Sequence, residues 1–97
     1  MFDKVKELME LKKKADQLKK ELEATLIEIN EARGIKMVMN GAQIVQSIDI
    51  DESMLTAANK NRIQMDLLKS FNNGVKKSQQ AAATKIRNIP GLNLPGM

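Results

Sequence analysis

The sequence predicts an α+β fold in a single domain, with a long helix on each side of a three-stranded antiparallel β-meander. Apolar residues recur every three or four positions over residues 3–23 and again over residues 60–87, which is the period of a helix. Between residues 25 and 50 they alternate with polar residues, which is the period of a strand. A chain of 97 residues is long enough for one hydrophobic core and too short for two, so we assign residues 1–97 to one domain.

The first helix, predicted over residues 3–23, carries an apolar seam. Its residues follow one another at intervals of three and four: Leu8, Leu11, Ala15, Leu18 and Leu22. Such a helix is about 31 Å long, whereas a three-stranded sheet is about 14 Å wide with strands about 20 Å long. The helix therefore extends beyond its own sheet, and the seam must also meet the second helix or a partner chain. Because the sheet leaves two open edges as well, we predict a homodimer.

Three strands are predicted near residues 25–31, 35–40 and 43–50. The first strand ends at the Arg33-Gly34 break. The second ends at Asn40-Gly41, a strong hairpin signal, for which we predict a type I′ turn with positive φ at both residues.

The alternation within the strands predicts which side chains share a face. Ile44, Ile48 and Ile50 point one way, and Val45, Ser47 and Asp49 point the other. In the second strand Met37 and Met39 alternate with polar or smaller residues, and we favour core or dimer packing for them over a ligand-binding groove. The apolar residues expected in the core or in the dimer interface are Leu8, Leu11, Leu18, Leu22, Met37, Met39, Ile48 and Ile50.

A short helical turn and a second long helix follow the sheet. We expect Asp51 or Ser53 to cap a turn through Met54 and Leu55. The apolar stripe of the second helix, over residues 60–87, consists of Ile63, Leu67, Phe71, Val75, Ala82 and Ile86. Gly74 lies within this helix at a cost of up to ~1 kcal/mol in helix propensity, which indicates close packing there. Residues 88–97 contain both prolines and are predicted to be an irregular tail.

The composition argues against catalysis. The chain has no His and no Cys, so it lacks an imidazole base, a thiolate nucleophile and the commonest metal ligands. The acidic cluster Asp49, Asp51 and Glu52 has no glycine-centred loop to wrap an ion, and we interpret it as a solvated strand end and helix cap. We expect a protein that is not an enzyme, with no catalytic residue, metal, cofactor or small-molecule substrate.

The hydropathy pattern predicts a cytoplasmic protein without membrane contact. No apolar run approaches the roughly 20 residues that a membrane-spanning helix requires. The beginning of the chain also lacks the apolar core of a signal peptide.

The charge distribution indicates a polyanionic partner. The net charge is +4, but residues 57–97 carry seven basic residues against Asp66 alone, whereas residues 24–56 are net negative. Thirteen of the sixteen basic residues are Lys, which acts as a point charge rather than as a bidentate reader of base edges. The two aromatic residues, both Phe at apolar positions, provide no platform for stacking single-stranded bases. Phosphate contact on duplex DNA with little sequence specificity is the mode that this composition favours.

Candidate DNA contacts lie on both helices. They are Lys12, Lys13, Lys14, Lys19 and Lys20 on the first helix, and Lys76, Lys77, Lys85 and Arg87 on the second. The first group is interspersed with acidic residues, and the second has none nearby in the sequence. We therefore expect the second group to contribute more to DNA binding.

A different function is compatible with the same seam. A coiled-coil interaction or adaptor protein would use the residues from Leu8 to Leu22 to pair with another protein and would not bind DNA. The net charge of +6 over residues 57–97 is the feature that favours DNA.

Five segments, in order, resemble the bacterial YbaB/EbfC family of nucleoid-associated proteins. They are Met1-Phe2-Asp3-Lys4, Val38-Met39-Asn40-Gly41, Ser47-Ile48-Asp49-Ile50-Asp51, Ser70-Phe71-Asn72-Asn73-Gly74-Val75-Lys76-Lys77 and Leu92-Asn93-Leu94-Pro95-Gly96-Met97. The resemblance implies an α/β dimer that joins through its sheets and projects helical arms like tweezers. It also implies DNA binding by those arms in the nucleoid, with effects on nucleoid organisation and gene expression.

Overall fold

The structure, a computed structural model, describes residues 2–88, apart from the side chain of Phe2. Its elements are α1 (Phe2–Ala24), β1 (Leu26–Ala32), β2 (Ile35–Asn40), β3 (Val45–Ile50), two short 3-10 turns (Glu52–Met54 and Ala57–Asn59) and α2 (Lys60–Arg87). The three strands form one antiparallel sheet in the order β1-β2-β3. The predicted α+β architecture is confirmed. Apart from Asn88, the predicted tail lies outside the described residues.

The core lies between one face of the sheet and α2. Ile29, Met37 and Met39 are almost completely buried, and Leu67 and Val75 of α2 pack against them. The sequence gives α2 this position because its apolar residues recur with a helical period, while those of β1 and β2 alternate.

Small residues let α2 lie close to the sheet. Ser70, Gly74 and Ser78 follow one another at intervals of four and are the buried residues of α2. A Cβ atom at position 74 would lie 2.5 Å from Cδ1 of Ile29 and 3.0 Å from Cε of Met39. The close packing predicted at Gly74 is confirmed.

The predicted type I′ turn at Asn40-Gly41 is wrong. Among the described residues, only Gln43 and Gly34 have positive φ. The side chain of Asn40 closes a longer loop instead, because its Oδ1 accepts hydrogen bonds from the backbone N–H groups of Ala42 (2.9 Å) and Ile44 (3.0 Å).

Gly41 allows a close contact with α1 rather than a turn with positive φ. Its N–H donates to the carbonyl oxygen of Leu22 (2.9 Å), near the end of α1, and a Cβ atom at position 41 would lie 2.9 Å from that same oxygen. The hairpin is therefore packed directly against the end of α1.

The predicted face of Ile44 is also wrong. β3 begins at Val45, and the pairing of β2 with β3 is irregular between Val38 and Met39, so that Val45 and not Ile44 packs against the core. One extra residue in a strand reverses which side chains face inward beyond that point. Ile48 lies opposite the buried Met37 but is half-exposed, because α2 covers β1 and β2 rather than β3.

The 3-10 turns connect the sheet to α2. Asp51 caps the first of them, since its carboxylate accepts a hydrogen bond from the N–H of Ser53 (3.3 Å). Of the two predicted caps, Asp51 is thus the one used. None of the helices among residues 2–88 has the length and apolarity that crossing a membrane requires.

Candidate nucleic-acid interface

The two helices form a projecting arm on one side of the sheet. The carbonyl oxygen of Asn40 accepts a hydrogen bond from Oγ of Ser78 (3.1 Å), and the adjacent Gly41 contacts Leu22, so α1 and α2 pass the same end of the sheet. α1 runs toward this end and α2 continues past it. The two helices contact each other, and the molecule is 67 Å long but only 23 Å and 16 Å in the other directions. We call residues 3–24 and 79–88 the arm.

The α1 lysines of the arm lie mostly on its outer surface. Lys12, Lys13, Lys19 and Lys20 are exposed, and at about 100° per residue they lie on the side of α1 away from the half-buried Leu18. Asp16 and Glu23 share that side, and their charges offset half of the lysine charge. Lys14 is different, since it is half-buried and borders a shallow cleft with Glu7, Glu10 and Leu11.

One lysine of the second predicted group is neutralised. Nζ of Lys77 lies 3.4 Å from the carboxylate of Glu31 on β1, so the expectation that this group has no acid nearby is wrong for Lys77. This ion pair could not be predicted from the sequence, because Glu31 is distant along the chain and comes close to Lys77 only where α2 packs on β1.

The other three members of that group differ in their exposure. Lys76 and Arg87 are exposed, and Nε of Arg87 donates to the carbonyl oxygen of Ala83 (3.4 Å). Lys85 is half-buried.

A further lysine, Lys69, belongs with the exposed cations of α2. It lies seven residues before Lys76, and Arg87 lies eleven residues after Lys76, so all three share one side of the helix, away from the sheet. We call Lys69, Lys76 and Arg87 the outer basic stripe. Among the described residues no carboxylate pairs with any of them, whereas Arg62 on the same side pairs with Asp66 (3.7 Å). The intervals of seven and eleven were the signal in the sequence that would have identified Lys69.

The acidic cluster shows no arrangement for metal binding. Within residues 2–88, no group of three acidic side chains is arranged to hold an ion. Asp51 uses its carboxylate as a cap, and Asp49 lies opposite Lys36 in the β2–β3 pairing.

The apolar candidates are distributed between the core and the surface. Met37 and Met39 are in the core, and Leu18, Leu22 and Ile50 are half-buried. Leu8, Leu11 and Ile48 are exposed. The outer part of the seam and the third strand therefore present apolar surface that no residue among 2–88 covers.

Known proteins resemble this chain over most of its length. A nucleoid-associated protein of Syntrophobacter fumaroxidans is 28% identical over 99% of this chain and 94% of its own length. A nucleoid-associated protein of Mycoplasmopsis pulmonis is 29% identical over 89% of this chain and 92% of its own length.

The fold also has a counterpart among solved structures. An uncharacterised protein of Helicobacter pylori, whose crystal structure is known, superimposes with a TM-score of 0.76 over 91% of this chain and 95% of its own, at 22% identity. That likeness concerns the fold alone. Residues 1–92 match the family model described as the YbaB/EbfC DNA-binding family, which is not a family of enzymes. The chain belongs to the YbaB/EbfC DNA-binding family.

Proposed function

We propose that this protein binds duplex DNA in the bacterial nucleoid through the phosphate backbone, with little sequence specificity and without catalytic activity. The observation that carries the proposal is the outer basic stripe. Its three cations are spread along about 27 Å of one exposed helix side and have no carboxylate partners among the described residues. A row of uncompensated cations attracts the phosphate backbone irrespective of base sequence.

The side chains beside the stripe support backbone contact. Phe71 is the one aromatic side chain that the structure describes, and it lies about 140° around α2 from Lys76. It is therefore not available for stacking bases beside the stripe. Two of the three stripe residues are lysines, whose ammonium groups bind phosphate as point charges.

We further propose that the active form is a homodimer. Ile48 on the third strand is 50% exposed, and Leu68 and Phe71 of α2 are 64% and 43% exposed. Apolar surface of this kind on a small protein marks an interaction site. Two-fold pairing through this surface would join two copies at their sheets and give the molecule two arms, with which it would organise the nucleoid and affect gene expression.

The direct test is DNA binding as a function of salt. Fluorescence anisotropy would follow the protein on two unrelated duplexes of equal length, and on a single strand, at several salt concentrations. If about 5 phosphates are neutralised per dimer, the logarithm of the affinity falls against the logarithm of salt with a slope near −4 to −5. Equal affinity for both duplexes is expected. A flat salt response, or a preference of several kcal/mol for one duplex, would contradict the proposal.

The alternative is an interaction or adaptor protein without DNA binding, and the exposure of Leu8 and Leu11 favours it. One experiment distinguishes the two functions. Substituting Gln for all three residues of the outer basic stripe should abolish DNA binding if the proposal holds. If the parent protein shows no DNA binding at low salt, the adaptor function takes its place.

A further inference from the structure

The first half of α1, residues 3–13, is exposed on every side. Each residue in this range is exposed, whereas partial burial on α1 begins at Lys14. The range is about 16 Å long, and an α-helix with its side chains is about 10 to 12 Å across. We call residues 3–13 the distal helix.

The acidic and basic side chains of the distal helix lie on different sides. At about 100° per residue from the half-buried Leu18, Lys12 lies at about 120°, and Lys13 and Lys6 lie at about 220° and 240°. The acidic residues all lie within about 80° of Leu18, and they are Asp3, Glu7 and Glu10. Among the described residues, none of these three lysines forms an ion pair. We call Lys6, Lys12 and Lys13 the basic rim.

Two apolar side chains lie inside the basic rim. Val5 and Met9 are 58% and 59% exposed, and they lie at about 140° and 180° from Leu18, between Lys12 on one side and Lys13 on the other. The apolar strip covers only about 40° of the helix, whereas a helix that packs on a protein core presents a stripe of about 100° or more. Its shape fits a partner that carries negative charge on two sides of a narrow apolar surface.

The major groove of duplex DNA is such a surface. It is about 12 Å wide and about 8.5 Å deep, so it admits an α-helix, and phosphates line both of its edges. Its floor carries the C5-methyl group of each thymine, which makes apolar contacts with protein side chains. The minor groove is only about 6 Å wide and too narrow for the distal helix.

We propose that the distal helix enters the major groove, where Val5 and Met9 contact thymine methyl groups. The basic rim then binds phosphates of both strands. This inference rests on the proposed function, duplex DNA binding, and adds a groove contact to the backbone contact of the outer basic stripe. Duplexes of equal thymine content are bound alike, because the contact reads methyl groups and no hydrogen-bonding pattern.

The first test removes the thymine methyl groups and leaves the base pairs intact. Fluorescence anisotropy compares an A·T-rich duplex with the same duplex in which deoxyuridine replaces every thymidine. We expect the protein to bind the uracil duplex about fourfold more weakly for each methyl group that it contacts. Equal affinity for the two duplexes would overturn the proposal.

The second test changes the protein. Val5→Thr combined with Met9→Gln keeps the size and helix propensity of both side chains and removes most of their apolar character. This double variant should bind the thymine and uracil duplexes equally and keep the salt dependence of the parent protein. Leu8→Gln is the matched control, because Leu8 is 65% exposed on the same helix but lies outside the basic rim, at about 80° from Leu18. It should retain the preference for thymine. A double variant with the full preference of the parent protein would contradict the proposal.

Failure of this inference is distinguishable from failure of the proposed function. Salt-dependent binding without a difference between the thymine and uracil duplexes overturns the groove contact alone, whereas no binding to either duplex at low salt overturns both. A lipid surface is the other polyanion that a basic helix could bind. If phosphatidylglycerol vesicles bind the parent protein and not the double variant, while both duplexes bind equally, Val5 and Met9 serve a membrane contact and the proposal is wrong.

Discussion

At the scale of single residues, two buried serines of α2 differ in the hydrogen bonding of their hydroxyl groups. Oγ of Ser78 donates to the carbonyl oxygen of Asn40, whereas Oγ of Ser70 has no hydrogen-bond partner among the described residues. Both side chains are fully buried. A buried hydroxyl without a partner loses its hydration and gains nothing in return, so the two residues contribute differently to stability.

We expect Ser78→Ala to destabilise the protein by about 1 kcal/mol, because it removes a buried hydrogen bond to the carbonyl oxygen of Asn40, which keeps the N–H of Gln43 as a donor. Ser70→Ala should be neutral or stabilising by up to ~1 kcal/mol, since it removes a buried polar atom that is unpaired. Urea unfolding of both variants measures the difference. A larger loss for Ser70→Ala would mean that its hydroxyl finds a partner in solution.

Adjacent lysines allow a sharp test of the DNA-binding surface. Lys76→Gln and Lys77→Gln change the net charge equally, but Lys76 belongs to the outer basic stripe and Lys77 pairs with Glu31. Lys76→Gln removes one phosphate contact from each subunit of the dimer, so it should lower the magnitude of the salt slope by about 2 and weaken all duplexes alike. Lys77→Gln should do less. Equal effects would show that total charge, and not the position of the stripe, determines the affinity.

At the scale of elements, the distance between α2 and the sheet depends on the small residues on the inner side of the helix. Helix propensity alone argues against Gly74, and the packing of Ile29 and Met39 requires it. Glycine is favoured at this position because an added methyl group would overpack the core, and that cost in stability exceeds the gain in helix propensity.

Gly74→Ala should therefore destabilise the protein by about 1 to 2 kcal/mol, since the new methyl group displaces Cδ1 of Ile29. Asn72→Ala, on the exposed side of the same helix, is the matched control and should be neutral or slightly stabilising. Thermal or urea unfolding gives both values. A more stable Gly74→Ala protein would refute the claim that the core is full at this point.

At the scale of the whole molecule, the described residues of one chain leave apolar side chains exposed at both ends of the proposed assembly surface and on the arm. Leu8 and Met9 are exposed on α1, and Ile48 on β3 and Phe71 on α2 are exposed as well. Ile48 and Phe71 belong to the surface that we assign to the dimer.

The parent protein should have a mass of about 21.6 kDa in solution, twice the 10.8 kDa of one chain. Ile48→Glu should shift it toward the monomer, because the charge would have to be buried in the proposed interface. Met65→Glu makes the same kind of change on the exposed outer side of α2 and should leave the mass unchanged. Light scattering at micromolar concentration measures all three. A parent protein that is monomeric under these conditions would exclude the dimer.

The sequence by itself determined the order and type of the elements. Helical and strand periods differ enough that α1, the three strands and α2 could be recognised from hydropathy alone. The capping role of Asp51 and the close approach at Gly74 were also accessible, because both depend on local residue type.

Tertiary structure decided the details that depend on distant parts of the chain. The loop after β2 depends on Gly41 packing against α1, and the inward position of Val45 depends on an irregular strand pairing. Likewise Glu31 neutralises Lys77 only because α2 crosses β1, so the charge available for DNA could not be counted along the sequence. Periodicity is a property of neighbouring residues, whereas close approach and ion pairing depend on how the elements pack in three dimensions.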